Sequence, residues 1–226
     1  MNFNEIDSCF GNDKRESAYD KLKAAYEKGD HSIDVLWRLA QVCHELSSVA
    51  PKAKRTAYVT EGLKYAEEGM KADPSNFKCV KWSAVLTGQN AEAQQTKQKI
   101  EMGNKFKALL DKAISMQPDD FVLLHLRGRY KFTVASLTWL EKKIAATFYT
   151  TVPTHTFEES IEDFQSCYKV EPKWIENLLY LAKAYIGAKD KENAKKYLKV
   201  AVYEIEPQSD VEVDFIAECK TILSKL

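Results

Sequence analysis

Glycine and proline are sparse in this 226-residue chain, eight of one and six of the other, and the glycines stand singly. That leaves no Gly-rich phosphate loop, no Gly-x-Ser-x-Gly nucleophile elbow and no Gly/Ser/Pro-rich linker. The five cysteines are an odd number without a Cys-x-x-Cys pair, which argues for reduced thiols in the cytosol and against a disulfide framework. Cys43, Cys79, Cys167 and Cys219 are expected as small core residues. The longest uncharged run, Ile144–Phe157, has 14 residues, among them Pro153 and five threonines. It falls short of the ~20 residues needed to span a bilayer. Met1–Phe10 carries Glu5 and Asp7 without a basic n-region, so neither a signal peptide nor an integral membrane anchor is expected. The four histidines, His31, His44, His125 and His155, form no metal-binding motif. His44 follows Cys43 directly, but adjacent helical residues point apart, so the two make no catalytic pair. His125, beside Phe121, Leu124 and Gly128, is expected as a satisfied core histidine. No catalytic, cofactor-binding or metal-binding residue is expected, and the chain is not expected to be an enzyme.

What is present is helical periodicity. Leu178, Leu181, Ala182 and Tyr185 fall at i, i+3, i+4 and i+7, and Ala194, Leu198 and Ala201 at i, i+4 and i+7. Gly187 and Asp190 mark a turn between them, and Pro207 ends the second helix. Small residues at these positions let two antiparallel helices approach closely. This is the pattern of a tetratricopeptide-like hairpin, which cannot bury its apolar face alone and so requires neighbours. The second-helix spacing recurs as Gly62, Ala66 and Gly69 before Pro74, as Phe106, Leu110 and Ala113 before Pro118, and as Ser160, Phe164 and Cys167 before Pro172. The prediction is an all-α, tetratricopeptide-like antiparallel helix-hairpin solenoid with elongated hairpins and about ten helices. It is expected as a single domain over 1–226: an N-terminal half-repeat near 13–30, repeats near 33–74, 77–118, 121–172 and 175–207, and a closing helix near 210–226 with Asp210 as its cap.

The period is irregular. Pro74, Pro118, Pro172 and Pro207 stand 44, 54 and 35 residues apart, against about 34 for a simple repeat. The surplus falls within hairpins, at Gln89–Glu101 and Val134–Thr156, with another at Ser47–Tyr58. Such insertions either lengthen helices or build protrusions on one face, often the binding face.

Net charge is zero, with 33 basic and 33 acidic side chains, but the basic residues cluster. Lys97, Lys99, Lys105 and Lys107 form one group, Arg127 and Lys131 a second at i, i+4, Lys142 and Lys143 a third, and Lys189, Lys191, Lys195, Lys196 and Lys199 a fourth. A basic face attracts an acidic partner at long range; a solvated helix face has the same composition. Glu141 and one of its neighbouring lysines can instead form a structural pair. Trp37, Trp82, Trp139, Phe148 and Tyr149 are candidates to line a groove for a peptide or lipid, or to seal the hairpins by packing. Some tetratricopeptide domains grip an acidic peptide terminus with a Lys/Asn clamp. The corresponding positions here hold Trp37, Gln41, Trp82 and Leu126, so that clamp is missing.

The segment Arg127-Gly128-Arg129-Tyr130, the block Trp139-Leu140-Glu141-Lys142-Lys143-Ile144-Ala145-Ala146-Thr147, and the stretches Leu36-Trp37-Arg38 and Tyr180-Leu181-Ala182-Lys183 resemble the regulator of microtubule dynamics family, its nematode members in particular. The resemblance covers about Asp34 to Leu226. It implies a cytoplasmic, microtubule-associated protein acting at the mitotic spindle in chromosome segregation, with tubulin and other spindle proteins as partners and no nucleic acid. Longer relatives carry a membrane anchor, and lipid binding has been proposed for their helical domain. The basic clusters supply a mechanism, since tubulin presents an acidic surface and acidic tails. The alternatives are a peptide-binding scaffold and a lipid-binding or lipid-transfer domain using the concave groove.

Overall fold

The computed structural model describes residues 1–92, 94, 96–147 and 153–226; of residues 52, 92, 96, 97 and 99–101 it describes the backbone alone. The described residues form twelve helices and no strand: α1 (Phe3–Asp7), α2 (Arg15–Glu27), α3 (Ile33–Val49), α4 (Lys52–Ala72), α5 (Phe77–Glu92), α6 (Thr96–Met116), α7 (Phe121–Ala135), α8 (Trp139–Ala145), α9 (Phe157–Val170), α10 (Ile175–Gly187), α11 (Lys191–Tyr203) and α12 (Asp210–Leu223). They fall into two compact units, Met1–Gln117 and Pro118–Leu226.

In the first unit α2 packs on α3, α3 pairs with α4, and α5 packs on both before pairing with α6. The buried face of α3 is Val35, Leu36, Leu39, Ala40, Val42, Cys43 and Leu46. At Gly62 and Gly69, α4 lies close against its neighbours. A Cβ on Gly62 would lie 2.7 Å from Cys43 Cβ, and one on Gly69 would lie 2.6 Å from Cys79 Sγ. The surplus residues here are taken up as helix length. The α3–α4 turn is only Ala50 and Pro51, with Ala50 extended as a residue before proline should be. The helices α3 and α4 then run to 17 and 21 residues, against 13 each for α10 and α11.

In the second unit α7 pairs with α9, α9 packs on α10, α10 pairs with α11, and α12 closes against both. Its core joins Phe164, Leu178, Leu181, Ala182, Ala194, Leu198, Ala201, Ile216 and Cys219, and the Tyr185 and Tyr197 rings stack at 5.7 Å. The surplus between α7 and α9 builds a separate short helix, α8. Capping boxes start α8 (Thr138, Glu141) and α9 (Thr156, Glu159). The cap of α12 is Ser209, not the predicted Asp210; the Ser209 hydroxyl accepts from the Glu212 N–H, and Asp210 is the first helical residue.

Both α2 and α10 end in a Schellman motif. Asp30 N–H bonds the Ala25 carbonyl across Gly29, which has φ +94°, and Asp190 N–H bonds the Tyr185 carbonyl across Lys189, which has φ +64°. Glycine takes this left-handed conformation freely, whereas a lysine pays for it in strain of about 1 kcal/mol. Lys189→Gly should therefore stabilise the chain by up to about 1 kcal/mol, less the greater freedom of glycine in the unfolded state. A denaturation midpoint that falls would contradict this.

Candidate functional site

The lysines at the α10–α11 turn and on α11 are brought together. Lys191, Lys195 and Lys199 recur at i, i+4 and i+8, with Lys196 alongside, opposite the buried Ala194, Tyr197, Leu198 and Ala201. Lys189, Lys191, Lys196 and Lys199 are exposed. None of these four has a carboxylate within ion-pair distance among the described residues; Lys195 lies 3.5 Å from Glu192. Asp190 does not neutralise them. It caps α11, accepting from the Asn193 backbone at 3.0 Å and side chain at 2.6 Å, and the Asn193 side-chain bond holds its carboxyl below the usual range.

On α8, Lys142 and Lys143 are exposed, and Glu141 is engaged elsewhere. Its carboxylate accepts from the Thr138 hydroxyl and backbone N–H, both at 2.7 Å, and these bonds lower its pKa. The Lys143 ammonium sits 3.8 Å over the Trp139 ring. Only Ala145 of this helix is buried; Trp139, Leu140 and Ile144 face solvent, Trp139 at 69% exposure.

The cations of α7 have partners. Asp163 on α9 accepts from Arg127 Nε and Nη2 and lies 2.8 Å from Lys131 Nζ. Arg129 bonds Glu176 at 2.7 Å. His125 is buried, with Nδ1 3.0 Å from the Asn177 amide oxygen, while the Asn177 amide donates to the Phe164 carbonyl. On α6, Lys105 pairs with Glu67 and Lys107 with Asp111. The side chains of Lys97 and Lys99 lie outside the described residues, as do Phe148 and Tyr149 altogether.

The remaining predicted groove residues differ among themselves. Trp82 is buried, its ring 5.3 Å from His44 and beneath the Lys81 ammonium. Trp37 is half-buried and flanked by cations: the Arg38 guanidinium carbon is 4.0 Å from its ring centre and Lys78 Nζ 5.7 Å. A groove of about 350 Å³ opens between α11 and α12, its lining mostly apolar, Val202, Ile205, Val213 and Ile216 among it, with Glu206 and Lys220 as its charged members.

Two arrangements escape sequence reasoning. Arg38 is 7% exposed and held by carboxylates from two helices; only Asp34, at i−4, hinted at it. Asp163 gathers Arg127 and Lys131 from another helix, and nothing local signals that. All five cysteines are buried, and burial pushes the Cys43 thiol well up, Cys167 up to about 12 and Cys79 and Cys219 to about 11, so these four are not thiolates at neutral pH. Among the described residues no group of three His, Cys, Asp or Glu side chains could hold a metal ion, and no helix is long and apolar enough to cross a membrane.

The family profile described as Regulator of microtubule dynamics protein 1-3 matches residues 2–226. A relative from Caenorhabditis elegans, "Regulator of microtubule dynamics protein 1", is 38% identical over 223 residues, which cover 99% of this chain and 98% of its own. The human "Regulator of microtubule dynamics protein 2" is 33% identical over 192 residues, 83% of this chain and 46% of that protein, so the match spans just under half of the human relative. Among solved structures, a thermophilic TPR protein of Thermus thermophilus superposes with a TM-score of 0.62 over 96% of each chain, at 13% identity. That likeness supports the tetratricopeptide-like fold and nothing more. With a profile match along nearly its whole length and a nematode relative of the same extent, the chain belongs to the regulator of microtubule dynamics family.

Proposed function

We infer that this chain is a non-enzymatic, microtubule-associated protein that binds the acidic surface of tubulin through exposed lysines, acting in the cytoplasm at the mitotic spindle during chromosome segregation. Family membership supports the microtubule part. The observation that carries the contact is the lysine face of α11 and its turn, where Lys189, Lys191, Lys196 and Lys199 have no carboxylate partner among the described residues. Unpaired exposed ammonium groups are what an acidic surface attracts, and the attraction weakens as salt rises. Lys142 and Lys143 form a second contact of the same kind, beside an exposed tryptophan. Arg127, Lys131, Lys105 and Lys107 already have acidic partners and contribute less.

Cosedimentation with microtubules over a salt series tests this. Binding should be strongest at low salt and weaken when the acidic tubulin tails are removed. The triple change Lys195→Glu, Lys196→Glu and Lys199→Glu should weaken it about tenfold or more, since ~1.4 kcal/mol corresponds to a factor of ten. Absence of binding at low salt would sink the proposal, and normal binding by the triple variant would move the contact to another face. A second reading, a scaffold binding a partner peptide, is favoured by the half-open Trp37 with its two flanking cations.

A further inference from the structure

The helix α1 is five residues long and has no side-chain cap at its N-terminus. A helix that short does not hold itself together in water, so docking keeps it folded. Its docking contacts are few. Ile6 and Cys9 are buried. The Asp7 carboxylate accepts from Arg38 Nε at 2.6 Å and Nη2 at 2.9 Å, a two-point fork. The Phe3 ring lies 4.2 Å from the guanidinium carbon, on a guanidinium that Trp37 also contacts at 4.0 Å. Beyond these, Lys21 pairs with Glu5, and Gly11 N–H bonds Glu45 at 2.7 Å.

Arg38 does not depend on α1 for its position. Its Nη1 is anchored within α3, to the Asp34 side chain at 2.7 Å and the Asp34 carbonyl at 3.0 Å, and Trp37 is its neighbour on the same helix. If α1 lifts away, Arg38 stays oriented, with Nε and Nη2 unpaired and the surface that buries Ile6 uncovered. Those are the parts of a receptor for one ligand chemistry: an aromatic residue, an aliphatic one three positions on, and a carboxylate next to it. Phe3, Ile6 and Asp7 are that ligand, supplied in cis.

We propose that the Arg38–Trp37 surface of α3 is a binding site for short helical peptides of aromatic-x-x-aliphatic-acidic pattern, and that α1 is its built-in occupant and competitor. The inference does not depend on microtubule binding. A tethered segment competes at an effective concentration in the millimolar range, so a free peptide binds the unmodified chain weakly. Weakening α1 opens the site, and a partner protein of the same pattern would displace it.

The probe is a fluorescent peptide with the sequence of residues 1–11, added to the full-length chain. The double variant Phe3→Ala, Asp7→Asn should bind it at least tenfold more tightly than the unmodified chain, and adding Arg38→Lys, which keeps the charge but loses the fork, should abolish that gain. Circular dichroism confirms that each variant is folded. A folded double variant that binds no more tightly, or a gain indifferent to Arg38→Lys, overturns the proposal. On the unmodified chain, excess peptide should speed amide exchange of residues 3–9; unchanged exchange at saturating peptide overturns it whatever the stability of the variants.

Discussion

Asp163→Ala should destabilise the second unit by about 3 kcal/mol, more than any single change at the cations it serves. Its side chain is only 5% exposed and accepts from both Arg127 and Lys131. Removing it takes away the buried carboxylate that two cations one helical turn apart share. Breaking a fully buried pair costs ~3–5 kcal/mol. The lower end applies because Arg127, at 33% exposure, can recover some hydration. Arg127→Ala should cost less, since Lys131 continues to neutralise Asp163. Urea titrations of the full chain compare the two, and equal losses would show that Asp163 is not the hub.

Gly62→Ala should cost about 2 kcal/mol, against the ordinary helix preference. Alanine is favoured over glycine in a helix interior by ~1 kcal/mol. Here the added methyl would lie 2.7 Å from Cys43 Cβ and 3.1 Å from a Leu86 methyl. The Cys43 Cβ is fixed to its backbone and cannot swing aside, so α3 and α4 must separate. Overpacking of that kind costs ~1–3 kcal/mol and outweighs the propensity gain. Pairing it with Cys43→Gly tests the assignment: most of the loss should return if this contact is its cause. A stabilised Gly62→Ala would show that the two helices are free to shift.

These two sites mark what was legible in the sequence. The glycine at position 62 belongs to a spacing that repeats before each proline, because close helix contact demands a small residue every turn or so. The α10–α11 hairpin could be read for the same reason: Leu178, Leu181, Ala182 and Tyr185 declare their face by local periodicity. Asp163 could not be read this way. Its partners are 32 and 36 residues away, and charge pairing across helices leaves no periodic trace. The lysine clusters looked alike as composition. Only the packing separates Arg127 and Lys131, tied to a buried carboxylate, from Lys196 and Lys199, which are not. Aromatic identity was equally silent: Trp82 is buried and Trp139 stands in solvent. Thr138 and Glu141, like Thr156 and Glu159, have the three-residue spacing of a capping box, so α8 was legible locally, and with it the engagement of Glu141 away from Lys142 and Lys143.

Trp139 also makes α8 self-reporting. The other indoles, Trp37, Trp82 and Trp174, are buried or half-buried, so this one contributes the most red-shifted, most readily quenched part of the chain's intrinsic fluorescence. Whatever settles over Lys142 and Lys143 must also cover that ring. Contact at α8 can thus be followed by emission colour and quencher access in the unlabelled protein, separately from contact at the lysines of α11, where no indole lies.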